Sequence, residues 1–245
     1  MCYAIQKSKS EKPFPCGRCA ECRAKRVSAW SFRLMQEDKR SISSHFITLT
    51  YDTKFVPINP SGYLNLSIRD LQLFFKRLRK AHGKDAKTIK YYAVGEYGGH
   101  SWRPHYHIIL FNCRVELIEA AWTTIGTSKL QGNERQLIGN VHYGSVCGAS
   151  IGYTLKYISK PGRIPQHKND DRQKEFSLIS KGIGSNYLDG RFPEWHKSDL
   201  ENRYYVNLTD GKKAAMPRYY KTKLYTEEEK QRILHYLNCQ RTTRA

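Results

Sequence analysis

The stretch RPHYHIILF, residues 103–111, places two histidines around one aromatic residue and runs directly into a block of apolar residues. Side chains two apart on a strand share a face. A strand here therefore sends His105 and His107 to one side and Tyr106 to the other. The apolar block behind them predicts that the same strand is buried. Two imidazoles so placed can chelate one divalent cation, or they can simply pack at a strand end. The preceding stretch TIKYYAVGEYG (88–98) bears on that choice. It predicts a strand, and the glycine-containing link GGHSWRP predicts antiparallel pairing with the next one. Glu96 then falls beside the histidines. Two histidines and one carboxylate leave coordination positions open for substrate oxygens. Glu96, His105 and His107 are thus the candidate ligands of a catalytic divalent ion.

Around this pair the pattern predicts α+β architecture with one main sheet. HFITLTYD (45–52) alternates apolar and polar residues and predicts a half-buried strand. SIRDLQLFFKRLRKAHG predicts a helix capped by Ser67 with Asp70, apolar along Leu71, Phe74, Phe75 and Leu78, and stopped at Gly83. VELIEAAWTTIG predicts a helix ending near Gly126, and IGNVHYGSV (138–146) a strand. Residues 20–39 predict a helix with an apolar stripe of Val27, Trp30, Leu34 and Met35, and with Arg23, Lys25, Arg26 and Arg33 on its other faces. RIPQHKNDDRQK (163–174) has no apolar rhythm and reads as a mobile loop. TEEEKQRILHYLN predicts a final helix opened by a Thr226–Glu229 capping box.

The 245 residues carry 42 Lys and Arg against 22 Asp and Glu, a formal net charge of +20. Such an excess points to a polyanionic partner, nucleic acid ahead of an anionic membrane. No apolar run approaches the ~20 residues that span a bilayer, and the polar N-terminal stretch lacks the apolar segment of a signal peptide. The expected location is therefore a cytoplasm. In a reducing compartment the seven cysteines are metal ligands or free thiols rather than disulfides. CGRCAECR offers Cys16, Cys19 and Cys22, and Cys2 could complete a tetrahedral thiolate zinc site.

GYTLKYISK supplies the second half of the chemistry. On a helix Tyr153, Lys156, Tyr157 and Lys160 fall on one stripe, while Leu155 and Ile158 fall on another side. In a chain with 17 tyrosines this stripe can be a basic face with packing phenols. It can equally be a nucleophile set. A phenol is a poor nucleophile when neutral, a neighbouring cation favours its phenolate, and a metal ion polarises a phosphoryl oxygen.

Taken together, these motifs resemble the HUH endonuclease superfamily, most closely the replication initiators of the gokushovirus branch of microviruses. FITLTYD is similar to its first motif, RPHYHIILF to its histidine motif with Tyr106 in the middle, and YTLKYISK to its two-tyrosine motif. CGRCAECR, GEYG, SKGIGSNYL and PRYYKTKLY are similar to further segments, from Cys16 to about Tyr225. The resemblance implies an initiator that nicks single-stranded DNA at a replication origin through tyrosine. Such an initiator stays joined to the 5′ phosphate, leaves a 3′ hydroxyl for the host polymerase, and later rejoins the strand into a circle. It implies an RRM-like antiparallel sheet of about five strands flanked by helices, with the histidines on a middle strand. It also implies Mg²⁺ or Mn²⁺, a phage genome and the cytoplasm of a bacterial host. No Walker motif is present, so helicase activity is expected from the host. The implied layout is a Cys-rich arm and basic helix (1–40), an endonuclease core (41–180) and a C-terminal extension on that core (181–245). An HUH transposase shares the chemistry, and a non-catalytic single-stranded nucleic-acid-binding module would share the charge.

Overall fold

The computed structural model describes residues 5–7, 13–84, 86–125, 135–159, 163–208 and 211–242. The chain divides into two compact units, Ser41–Lys181 and the pairing of Met1–Arg40 with Gly182–Ala245. The elements open with β1 (Gln6–Lys7), β2 (Pro13–Phe14) and α1 (Ala20–Arg40). Then come β3 (Ser44–Thr50), α2 (Ile68–His82), β4 (Lys90–Tyr97), β5 (Pro104–Phe111) and α3 (Glu116–Ala121). These are followed by β6 (Thr123–Ile125), β7 (Arg135–Leu137), β8 (Val141–Gly144), α4 (Gly148–Ser159) and β9 (Phe176–Ile179). A 3₁₀ turn at Ser185–Leu188 leads to α5 (Phe192–Lys197), β10 (Tyr205–Asn207), β11 (Lys213–Ala215), α6 (Arg218–Leu224) and α7 (Glu227–Thr242).

The unit Ser41–Lys181 is built on a five-stranded sheet in the order β8-β3-β5-β4-β9, antiparallel throughout. The fold is α+β, as expected, and the histidine strand β5 lies at the centre. Alternation gives the sheet two different faces. Ile47, Leu49, Tyr106, Ile108 and Leu110 point into a core with Leu71, Phe74, Phe75 and Leu78 of α2 and Ile118 of α3. Burying each such side chain contributes roughly 1.5–3 kcal/mol. Ser67 caps α2 by accepting the Asp70 amide at 3.0 Å, and Gly83, at φ 88°, ends it. Tyr106 does more than fill space on this face. Its hydroxyl accepts the Ser67 amide at 2.9 Å and lies 2.8 Å from the Tyr51 hydroxyl, which donates to Asp70. The residue between the histidines thus fastens β5 to the start of α2.

Three expectations need correction in this unit. The helix expected to run towards Gly126 stops at Ala121; β-branched Thr123, Thr124 and Ile125 instead form β6 against β7. Gly126 itself lies outside the described residues. The Trp122 indole fixes the change of direction by donating to the Thr50 carbonyl at 3.0 Å. The irregular stretch 163–174 is pinned rather than loose. Arg172 and Asp170 are both buried and form a paired-hydrogen-bond ion pair at 2.9 and 2.8 Å. Tyr97 ties the next residue down by donating to the Gln173 carbonyl at 2.8 Å. The fifth strand, β9, has no clear signal in its four residues and is defined by pairing with β4.

The second unit is centred on α1. Phe32 and Leu34 are buried, whereas Val27, Trp30 and Met35 are half-buried, so the apolar stripe read from spacing is only partly the packed one. Phe32 packs edge-on to Tyr187 and Tyr220, with Val206, Met216, Leu224 and Tyr225 in the same cluster. Arg33, expected on an outer face, donates twice to the Ile183 carbonyl, at 3.0 and 2.9 Å. Gly184 follows at φ +71°, donates to Glu37 at 2.8 Å, and receives the Tyr220 hydroxyl on its carbonyl. Thr226 and Glu229 form the reciprocal capping box of α7.

Candidate active site

The face of the sheet opposite α2 carries the polar cluster. Glu96 and His105 are direct cross-strand partners, and His107 is opposite Val94 on one side and Thr48 on the other. This register brings Nε2 of His105 and Nε2 of His107 each to 2.9 Å from Oε1 of Glu96. One donor atom from each of the three residues lies within 4.8 Å of the others. Glu96 and His107 are buried and His105 is half-buried.

The outer nitrogens of both rings are also held. Nδ1 of His105 faces the Arg103 carbonyl at 3.2 Å, which only accepts, so Nδ1 carries hydrogen. Nδ1 of His107 lies 2.9 Å from the Thr48 hydroxyl. Both contacts suit a tautomer that leaves the Nε2 lone pairs to a metal ion, the usual support for ligating histidines. Burial opposes ionisation of Glu96. Hydrogen bonds from His105, His107 and Tyr157 outweigh it and hold the carboxyl well below the usual carboxylate range. Burial, reinforced by the charges of His105 and Lys156, keeps His107 below the ordinary histidine value although Glu96 opposes this. An anionic oxygen beside two imidazole nitrogens makes a donor set that fits a divalent cation.

Helix α4 brings the tyrosines to the same place. The Tyr157 hydroxyl donates to Oε1 of Glu96, the oxygen that both histidines approach. Its ring is stacked on His107, with centroids 6.1 Å apart and planes at 10°. Tyr153 stands edge-on to His107 at 5.0 Å and to Tyr157 at 6.2 Å, and is 41% exposed. Lys156 lies over the rings rather than beside the oxygens, 3.3 Å from the Tyr153 centroid and 5.2 Å from that of Tyr157. Burial and then the Glu96 hydrogen bond push the Tyr157 phenol well above its ordinary pKa, so in this arrangement it is neutral. The expectation that lysine alone favours its phenolate is not met here. Lys160 lies outside the described residues.

A second donor cluster lies in the other unit. Sγ atoms of Cys16, Cys19 and Cys22 fall within 4.8 Å of one another, and the Arg18 and Cys19 amides both donate to Cys16 Sγ at 3.4 Å. This group, too, is compatible with a metal ion. Cys2 lies outside the described residues. Sequence reasoning missed Thr48 and the Arg103 carbonyl as supports of the histidines. Alternation along β3 puts Thr48 on the correct face, but its partner follows only from register.

The geometry can now be set beside known proteins. Residues 44–162 match the model of the replication-associated protein ORF2 family, a segment that holds Glu96, both histidines and both tyrosines. The chain is 28% identical over 225 residues to replication-associated protein VP4 of Bdellovibrio phage phiMH2K, covering 88% of this chain and 69% of that protein. It is a relative of phage replication-associated proteins. Replication-associated protein ORF2 of Spiroplasma virus 4 is 28% identical over 239 residues, covering 93% of this chain and 72% of its own length. Replication-associated protein ORF4 of Chlamydia phage 1 is 25% identical over 221 residues, 85% of this chain and 53% of its own. No solved structure matches the chain. Among the described residues, no helix is long and apolar enough to cross a membrane.

Proposed function

We propose that this protein initiates phage genome replication by nicking and rejoining single-stranded DNA at an origin through a covalent phosphotyrosine, with a divalent ion as cofactor. The observation that carries the reading is the convergence of the Tyr157 hydroxyl and two histidine Nε2 atoms on one oxygen of Glu96. A nucleophile from a helix and a cation-binding set from a sheet thus meet at one point, within the segment shared with replication-associated proteins.

Glu96, His105 and His107 would hold Mg²⁺ or Mn²⁺. Such an ion, when bound, polarises a phosphoryl oxygen and offsets charge on it. The remaining work falls to the chain. Tyr153 or Tyr157 attacks phosphorus through Oη and loses its proton. The bond from phosphorus to the 3′ oxygen breaks, and that oxygen leaves as a hydroxyl after taking up a proton. The 5′ phosphate stays on tyrosine, and attack by a later 3′ hydroxyl reverses the step to join the strand. Lys156 places positive charge beside both rings, where it offsets negative charge developing on either phenol oxygen. Thr48 and the Arg103 carbonyl hold the imidazoles in orientation. A host helicase and polymerase would extend the freed 3′ end.

The test is a denaturing gel of end-labelled origin oligonucleotide with the full chain. A protein-linked band that requires Mg²⁺ or Mn²⁺ and disappears in chelator is expected. Tight binding without any linked product in either metal would leave a binding module as the better description.

A further inference from the structure

A groove of about 690 Å³ runs between α1 and the segment leading into α6, within the unit formed by residues 1–40 and 182–245. Lys25, Arg26, Arg33, Arg218 and Lys221 line it, and among the described residues no carboxylate does. Four of these cations are exposed, while Arg33 is half-buried. The guanidinium of Arg33 lies over two rings that also line the groove, 4.1 Å from the centroid of Trp30 and 3.9 Å from that of Tyr219. Its hydrogen bonds to the Ile183 carbonyl fix that position. The groove therefore has a fixed floor of stacked planes under a rim of exposed charges.

Like charges gathered without acids repel one another, and a polyanion relieves that repulsion. A flat floor of Trp, Arg and Tyr adds what a simple anion does not need, a stacking platform. Cationic rim plus planar floor is the arrangement that holds an unpaired nucleic-acid strand, with phosphates on the rim and bases against the rings. A duplex hides its base faces and would use the rim alone.

We propose that this groove is a second contact for single-stranded DNA, separate from the Glu96–His105–His107 cluster and independent of metal. It rests on the reading of the protein as one that handles single-stranded DNA, but it does not require cleavage. Its consequence is that a strand engaged at the cluster is also gripped by the other unit, which would keep the free end from leaving between nicking and joining.

The experiment uses the full chain and the variant Lys25→Ala/Arg26→Ala/Arg218→Ala/Lys221→Ala, whose changes lie at exposed positions. A second variant, Lys76→Ala/Arg79→Ala/Lys80→Ala on α2, controls for general loss of charge. Binding of a fluorescent oligo(dT) of about 20 nucleotides, a length that spans one to several single-strand sites, is followed by anisotropy against salt in chelator. Heat denaturation of each variant checks folding. The groove variant should bind at least ~10-fold more weakly at about 0.1 M salt, and its log–log salt slope should be shallower by about 2–3, since each phosphate contact on a single strand contributes about 0.7. The control should lose less than about 3-fold. Oligo(dT) carrying 5-iodouracil should crosslink to Trp30 or Tyr219. Equal loss in both variants, no loss in the groove variant, or loss of binding to phosphatidylglycerol vesicles with oligo(dT) binding intact would overturn the proposal. Absence of cleavage by the wild-type chain would contradict the nicking reading and leave this one standing.

Discussion

Two imidazoles and a phenol converge on one oxygen of Glu96, so each side chain around it can be tested by what it leaves behind. Glu96→Gln keeps the shape and removes the charge. Calorimetric titration with Mn²⁺ should show affinity reduced at least ~100-fold, with oligonucleotide binding within about 2-fold of wild type, because phosphate contacts come from Lys and Arg. Thr48→Val removes the group that orients His107, without touching the ion, and should cost roughly 10–100-fold in Mn²⁺ affinity. Thr48→Ser should restore most of it, and failure of that rescue would mean the loss was one of packing. A different histidine sets a pH limit. His196 is buried, its Nδ1 donates to the Arg203 carbonyl, and its Nε2 receives the Tyr187 hydroxyl at 2.8 Å. Burial holds its pKa below the ordinary value. The unfolded chain therefore binds the proton more readily, and the stabilisation is present above about pH 6.5 and lost as pH falls below it. The melting temperature should decline through that window, and His196→Gln should flatten the decline. Glu96, His105 and His107 were legible because alternation and a short hairpin link act over a few residues. Thr48 was not, because its partner lies 59 residues away and only the sheet register unites them.

Helix α4 presents its tyrosines four residues apart, about 6 Å along the axis. Both rings lie against His107. A nicking and joining cycle needs a free phenol after the first is occupied. Tyr153→Phe and Tyr157→Phe singly should retain some first cleavage and lose circularisation, and the double variant should retain neither. Complete loss in one single variant and wild-type behaviour in the other would mean one nucleophile. At the start of α1 the three thiols predict a different outcome. Protein purified without chelator should carry about one zinc per chain, and Cys19→Ser should release it and lower the melting temperature. Elemental analysis without zinc would leave the cysteines as free thiols and the nuclease reading untouched. Gly139 shows how tightly elements meet at the site's edge, since a Cβ there would lie 1.8 Å from the Thr50 carbonyl oxygen. Gly139→Ala should cost about 1–3 kcal/mol by strain, read from chemical denaturation. Elements with strong periodicity and caps, such as α2, were legible. The end of α3 was not, because three β-branched residues and one indole hydrogen bond overrode an apparently continuous helical pattern.

The net charge of +20 was legible from composition, and with it the class of partner. The arrangement of residues 182–245 was not. Its aromatic residues Tyr187, Tyr220 and Tyr225 pack around Phe32 of α1, so no local rhythm announces the unit they build together. The stretch 163–174 misled for a related reason. It is polar by composition, yet the Asp170–Arg172 pair satisfies its charges internally and lets it be buried. At this scale everything proposed depends on whether DNA becomes joined to α4. Peptide mass spectrometry of the adduct formed with an origin oligonucleotide and Mn²⁺ addresses this directly, because trypsin cleaves after Lys156 and separates the two tyrosines. A nucleotide mass on the peptide ending at Lys156, through Tyr153, or on the one beginning at Tyr157 is the expected result. Cut DNA with no peptide adduct, or an adduct outside both peptides, would contradict it.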